Sequence, residues 1–205
     1  MAKKRIFTIG FELPGDNFEY VPFDSDQSLL DADIVLFEVG FGEHAATEHH
    51  QGEPCFDHHS SVRVSQNLLH WHSELVAATN VGKLVIVFLS KPRSYLRYTG
   101  QQQFSGTGRS RVTINIVARI ESYSAVPNVT SAEAKSGREV QLTREGAYLS
   151  PYWKEFEDYS PYEAYIDGKF THVVLTTKTG NKTVAAAVHA KGVLLFLPPV
   201  RYDEE

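Results

Sequence analysis

Three apolar runs stand out along the chain: Ile34-Val35-Leu36-Phe37, Leu84-Val85-Ile86-Val87-Phe88-Leu89 and Val193-Leu194-Leu195-Phe196-Leu197. None alternates with polar residues. Such runs predict strands covered on both faces, as in a parallel sheet. Between the first two, Val64, Leu68, Trp71, Leu75 and Ala78 recur at steps of four, three, four and three, which is one helical face. Ser60 or Ser61 can cap its start, and Gly82 can end it in the left-handed conformation. Strand, helix, strand in this order predicts a βαβ unit.

The flanking patterns are shorter. Arg5-Ile6-Phe7-Thr8-Ile9-Gly10 reads as a first strand and residues 18–23 as a second, with Pro22 favouring an edge. Residues 28–33 form a connector and residues 40–59 a polar, His-rich loop. Residues 91–111 show no convincing periodicity and read as a long loop. Residues 112–117 read as a strand and 122–139 as loop-rich. Aromatics crowd residues 148–165, where Trp153 and Phe156 share one side of a short helix starting near Pro151. Residues 172–177 and 183–188 are strands joined by a turn at Gly180-Asn181. The expected fold is a single three-layer α/β domain over residues 1–205, with a mostly parallel sheet and a C-terminal antiparallel hairpin.

Charge changes this picture most in the middle of the chain. Residues 1–74 hold thirteen Asp or Glu against four Lys or Arg, and residues 121–205 hold twelve against nine. Residues 75–120 hold seven Lys or Arg and no acid. The formal net charge of −5 argues against general affinity for nucleic acid. One cysteine, Cys55, excludes an intrachain disulfide and fits a reducing compartment. The first apolar run is too short for a signal peptide, and no stretch reaches membrane-spanning length. A cytoplasmic protein with no membrane association is expected.

The order of elements resembles the class I glutamine amidotransferase-like family of flavodoxin-like domains. The pieces that carry the likeness are Ala32-Asp33-Ile34-Val35-Leu36, Gly82-Lys83-Leu84-Val85-Ile86-Val87-Phe88-Leu89, and the ending from Thr183 through Gly192 to Pro198. Enzymes of that family place a nucleophilic Cys on a sharp turn after a central strand. Here Ser90-Lys91-Pro92 stands at that place, and no nucleophile elbow occurs elsewhere. The resemblance therefore implies a non-catalytic relative, of the kind used as a sensor or scaffold subunit. One compatible setting is a bacterial multi-protein system such as antiviral defence.

Two segments are candidate sites. In the first, Lys91, Arg93, Arg97, Arg109 and Arg111 surround Gly106 and Gly108. Glycine N–H groups beside guanidinium groups suit an anionic ligand. The same charge suits an acidic protein partner or a second copy of the chain. Tyr95, Tyr98 and Phe104 interleave with the cations, as on a single-stranded nucleic-acid surface. A solvated loop with an accidental charge bias is the remaining alternative. In the second, seven of the nine histidines lie between His44 and His72. His49, His50, Asp57, His58 and His59 are the best candidate ligands for Zn or Mn. Asp57-His58-His59 also matches the tripeptide that names the DHH phosphoesterases, whose other acidic motifs are not recognisable here. A metal-dependent hydrolase or phosphoesterase is thus the alternative function. Glu12, Asp16, Asp33 and Glu38 lie near strand ends, with no nucleophile aligned to them.

Overall fold

The computed structural model describes residues 4–134, 139–152 and 162–199. Five strands form a parallel block: β1 (Ile6–Ile9), β2 (Phe18–Val21), β3 (Ile34–Glu38), β6 (Leu84–Phe88) and β14 (Val193–Leu197). Their order is β2-β1-β3-β6-β14, with every neighbour parallel. The sheet then continues antiparallel through β13 (Thr183–His189), β12 (His172–Thr177) and β10 (Val140–Leu142). β9 (Val129–Glu133) pairs with β11 (Ala164–Gly168), which touches β13. The fold is α/β in content, and its sheet is mixed.

Helix α1 (His58–Asn80) connects β3 to β6 and lies on one face of the sheet. The stepped residues Val64, Leu68, Trp71, Leu75 and Ala78 are among its buried positions. They pack on Phe7, Ile9, Val35, Phe37, Val85 and Val87, each fully buried. Burying a side chain of this size stabilises by roughly 1.5–3 kcal/mol, so this seam is the main source of cohesion. Trp71 is also anchored by a polar contact: its indole N–H donates to the Phe23 carbonyl at 2.7 Å. Glu74, on the same helix, accepts from the Ser28 hydroxyl at 3.0 Å and from the Leu29 N–H at 2.7 Å. These bonds pin the connector before β3, a 3-10 turn at Leu29–Asp31, onto α1.

The three-layer expectation does not hold among the described residues. They contain one α-helix, so one face of the parallel block has a helical cover and the other has none. On β3, β6 and β14 the buried positions alternate with half-buried ones: Ile34, Leu36, Leu84, Ile86, Val193 and Leu195 are only partly covered. The apolar runs therefore do not mark equal burial on the two faces. A second small core lies under the antiparallel end, where Tyr165, Val174, Leu175 and Val184 pack with Leu149 and Leu197.

Several boundaries differ from expectation. Residues 40–59 contain a short hairpin, β4 (Glu48–His50) and β5 (Glu53–Cys55), and residues 122–139 contain β9. The helix cap is Asp57, whose carboxylate accepts from the Ser60 N–H at 2.9 Å and the Ser60 hydroxyl at 2.8 Å. Gly82 does follow the helix with a φ of +98°. A 3-10 turn spans Ala147–Tyr152 with Pro151 inside it, whereas the expected helix face of Trp153 and Phe156 lies outside the described residues.

Candidate functional site

The basic segment is not a loop. Residues Ser94–Ser105 form β7, which pairs antiparallel with β8 (Val112–Glu121) in a long two-stranded ribbon. The ribbon belongs to a separate small sheet in the order β4-β5-β7-β8.

Its root is fixed to the body on both faces. On one, the Tyr95 ring packs 5.4 Å from Phe41 and 5.3 Å from Phe56, and Ile120, opposite Tyr95, is buried. On the other, the Tyr98 ring lies flat on His58 with 3.9 Å between centroids, and its hydroxyl donates to Glu48 at 3.1 Å. That bond to a carboxylate, with a smaller contribution from burial, holds the Tyr98 phenol above its ordinary pKa. The backbone closes the joint: the Tyr98 N–H donates to Ser61 Oγ at 3.0 Å, and the Phe56 N–H to the Leu96 carbonyl at 2.9 Å.

Beyond Tyr98 the ribbon leaves the body. The register slips between Tyr98 and Gln102, where Gly100 takes a φ of +79°. A bulge of this kind bends the strand and sharpens its twist. Every residue from 100 to 114 is exposed. At the tip, Gly106 is required by close approach: a Cβ there would land on the Ser110 carbonyl oxygen. The Ser110 hydroxyl donates to the Thr107 carbonyl at 2.8 Å, which tightens the turn further. Gly106 and Gly108 thus shape a compact turn rather than an open anion nest.

The cations divide by environment. Lys91 pairs with Glu133 at 2.6 Å and Arg119 with Glu53 at 2.5 Å, so both are tied to the body. The Arg111 guanidinium sits 3.9 Å over the Phe104 ring. Among the described residues, Arg93, Arg97, Arg109 and Arg111 have no acidic partner within ion-pair distance. The apolar stripe beside them escaped sequence reasoning. Val112, Ile114 and Ile116 share one ribbon face and are 58%, 45% and 36% exposed. The alternation in Val112-Thr113-Ile114-Asn115-Ile116 was the available signal for a one-sided strand.

The histidine segment separates into unrelated contacts. Asp57 caps α1, His58 stacks on Tyr98, and His50 meets Tyr98 edge-on. Among the described residues no three His, Cys, Asp or Glu side chains gather in a group that could hold a metal ion. Hydrogen bonds from Ser60 hold the Asp57 carboxyl below the usual carboxylate range. Because its folded pKa is depressed, its contribution to stability is present above the unfolded value and lost as pH falls through the folded one. Asp57→Ala is therefore expected to cost about 1 kcal/mol near neutral pH. The gap between variant and wild type should close below about pH 4, as read by urea unfolding across pH. A gap independent of pH would show that the cap is not the source.

The strand-end carboxylates are likewise dispersed. Asp33 accepts from the Arg5 N–H at 2.9 Å, and Glu38 accepts from the Ser90 hydroxyl at 2.6 Å. Ser90 follows β6 and its hydroxyl is committed to this carboxylate rather than to a histidine. The strand order reverses between β1 and β3, the place where open α/β sheets hold ligands. A cleft of about 630 Å³ lies there, lined by Tyr20, Phe23, Asp24, Glu43, His44 and Arg63. Its cation, Arg63, is bound to Asp24, and burial followed by the Arg63 charge lowers the His44 pKa. The cleft is thus no cradle for an anion. No helix among the described residues is long and apolar enough to cross a membrane. No family model, curated protein or solved structure matches this chain.

Proposed function

We propose that the chain is a non-catalytic binding module, an amidotransferase-like relative, that engages an acidic protein partner through the β7–β8 ribbon. The observation that carries this is the ribbon itself: a rooted arm, exposed from residue 100 to 114, in a 46-residue stretch without one acid. At about 3.3 Å per residue, its tip stands on the order of 20 Å beyond Tyr98. That exceeds the roughly 8 Å screening length at physiological salt, so the acidic body does not cancel the charge of Arg109 and Arg111. Support for the family likeness comes from the parallel order β2-β1-β3-β6-β14, which follows the flavodoxin-like 2-1-3-4-5 pattern. A supporting role in a multi-protein defence system is compatible with such a module.

A protein partner fits better than single-stranded nucleic acid. Single strands need aromatic faces on which bases stack. Tyr95 and Tyr98 are occupied by the body, and Arg111 covers Phe104. The stripe Val112, Ile114 and Ile116 instead offers apolar contact area, as protein interfaces do.

Two probes test this: a polyglutamate peptide and a single-stranded oligonucleotide of equal charge. Polyglutamate should bind, with affinity falling as salt rises. Arg109→Glu with Arg111→Glu should abolish that binding, at least tenfold in Kd, while circular dichroism and melting temperature stay unchanged. Both positions are exposed, so the substitutions disturb no packing. Absence of polyglutamate binding, or tighter binding of the oligonucleotide, would overturn the proposal.

A further inference from the structure

Resting on the ribbon's role as an interface, we infer that its partner is a second copy of the same chain, joined by antiparallel pairing of the two β8 strands. β8 is the edge of its sheet. Among the described residues it pairs with β7 alone, which leaves its other side unpaired along ten residues. Native edge strands are protected by lysine, proline, bulges or a covering element. From Val112 to Ala118 β8 carries none of these: no charge, no proline, and the register slip is on β7. Val112, Thr113, Ile114, Ile116 and Val117 are β-branched, the residues that suit a pleated, half-buried surface. A two-stranded ribbon is marginal in water, and a third and fourth strand are what such a ribbon needs.

Charge selects a second copy and sets the direction. The ribbon is polar along its length. Arg109 and Arg111 mark the tip, while Glu121, Glu53 and Glu48 lie at the root, on β8, β5 and β4. Parallel pairing would set tip beside tip and bring like charges together. Antiparallel pairing sets each tip toward the other copy's root, guanidinium groups toward carboxylates, and closes about a two-fold axis. The stripes of Ile114 and Ile116 then lie side by side in one four-stranded ribbon, each covering aliphatic area that the monomer exposes.

Sedimentation equilibrium from low micromolar to several hundred micromolar protein reads the mass directly. The wild type should pass from monomer to dimer, with dissociation favoured by high salt. Ile114→Lys with Ile116→Lys should remain monomeric at every concentration, with unchanged circular dichroism, because neither side chain is in the core. Asn115→Cys, near the two-fold, should form an intermolecular disulfide under mild oxidation, since the native Cys55 is buried. A wild type that stays monomeric, a dimer that survives the double lysine variant, or an Asn115→Cys protein that does not cross-link would overturn the inference. Retained polyglutamate binding in any of those cases leaves the acidic-partner reading standing, whereas loss of both removes the ribbon from function altogether.

Discussion

Trp71→Ala is expected to lower the unfolding free energy by about 4 kcal/mol. Trp71 is fully buried and is the largest such side chain among the described residues. Its ring stands 6.4 Å from Phe23, 6.2 Å from Phe37 and 4.6 Å from His70. Truncation opens a cavity where α1 meets the sheet, and the bordering residues are held by backbone pairing and cannot collapse into it. It also strands the Phe23 carbonyl, which accepts the indole N–H. Leaving a buried acceptor unpaired adds to the cavity term. Leu69→Ala on the same helix supplies the contrast. Leu69 is 69% exposed, and its loss should change stability by less than about 0.5 kcal/mol. Urea midpoints of the two variants decide the matter. A Trp71→Ala cost under about 2 kcal/mol, well below the usual range for a buried aromatic, would mean that this seam is not the principal core.

The helix and the parallel strands were legible in the sequence because burial imposes a period. The steps between Val64 and Ala78 name the residues that face the sheet, and the three apolar runs name β3, β6 and β14. Only the depth of burial was misread. An apolar run states that both faces avoid water, but not how completely each is covered, and Leu36 and Ile86 are half-buried. β7 was illegible for the opposite reason. Neither face of its outer half is buried, so nothing forces Gln101-Gln102-Gln103 to alternate, and the bulge at Gly100 breaks whatever period remains. For the site, the charge bias of residues 75–120 was plain, yet its meaning depended on pairing that sequence does not display. Lys91 and Arg119 are bound to acids distant in sequence, while Arg109 and Arg111 are not. Density of histidine was the misleading signal. The segment folds into a hairpin and a helix cap, and those elements spread its side chains apart.

Gly192→Ala should be nearly as damaging as the loss of Trp71, by a different route. Gly192 immediately precedes β14, where the chain enters the parallel block beside β6. Its N–H donates to the Thr79 carbonyl at 2.8 Å, and the next residue, Val193, donates to the Lys83 carbonyl at 3.0 Å. These bonds draw Gly192 so close to the turn after α1 that an added Cβ would strike the Lys83 carbonyl oxygen. It would also lie 2.8 Å from the Lys83 nitrogen and the Gly82 carbonyl carbon. All three are backbone atoms, so no rotamer change relieves the contact. The chain must shift where β14, β6 and the end of α1 meet. Overpacking against fixed backbone of this kind costs about 3 kcal/mol. Gly180→Ala separates crowding from conformation. Gly180 has a φ of +73°, and a methyl group added there would meet no atom within 4 Å. Alanine at that position therefore meets only the left-handed backbone penalty of about 1 kcal/mol. A larger loss at Gly192 than at Gly180 in thermal and urea unfolding measures close approach alone. Equal losses would mean that β14 can move away from β6 at little cost, and the parallel order that places β7 and β8 after β6 would then be less rigid than its contacts require.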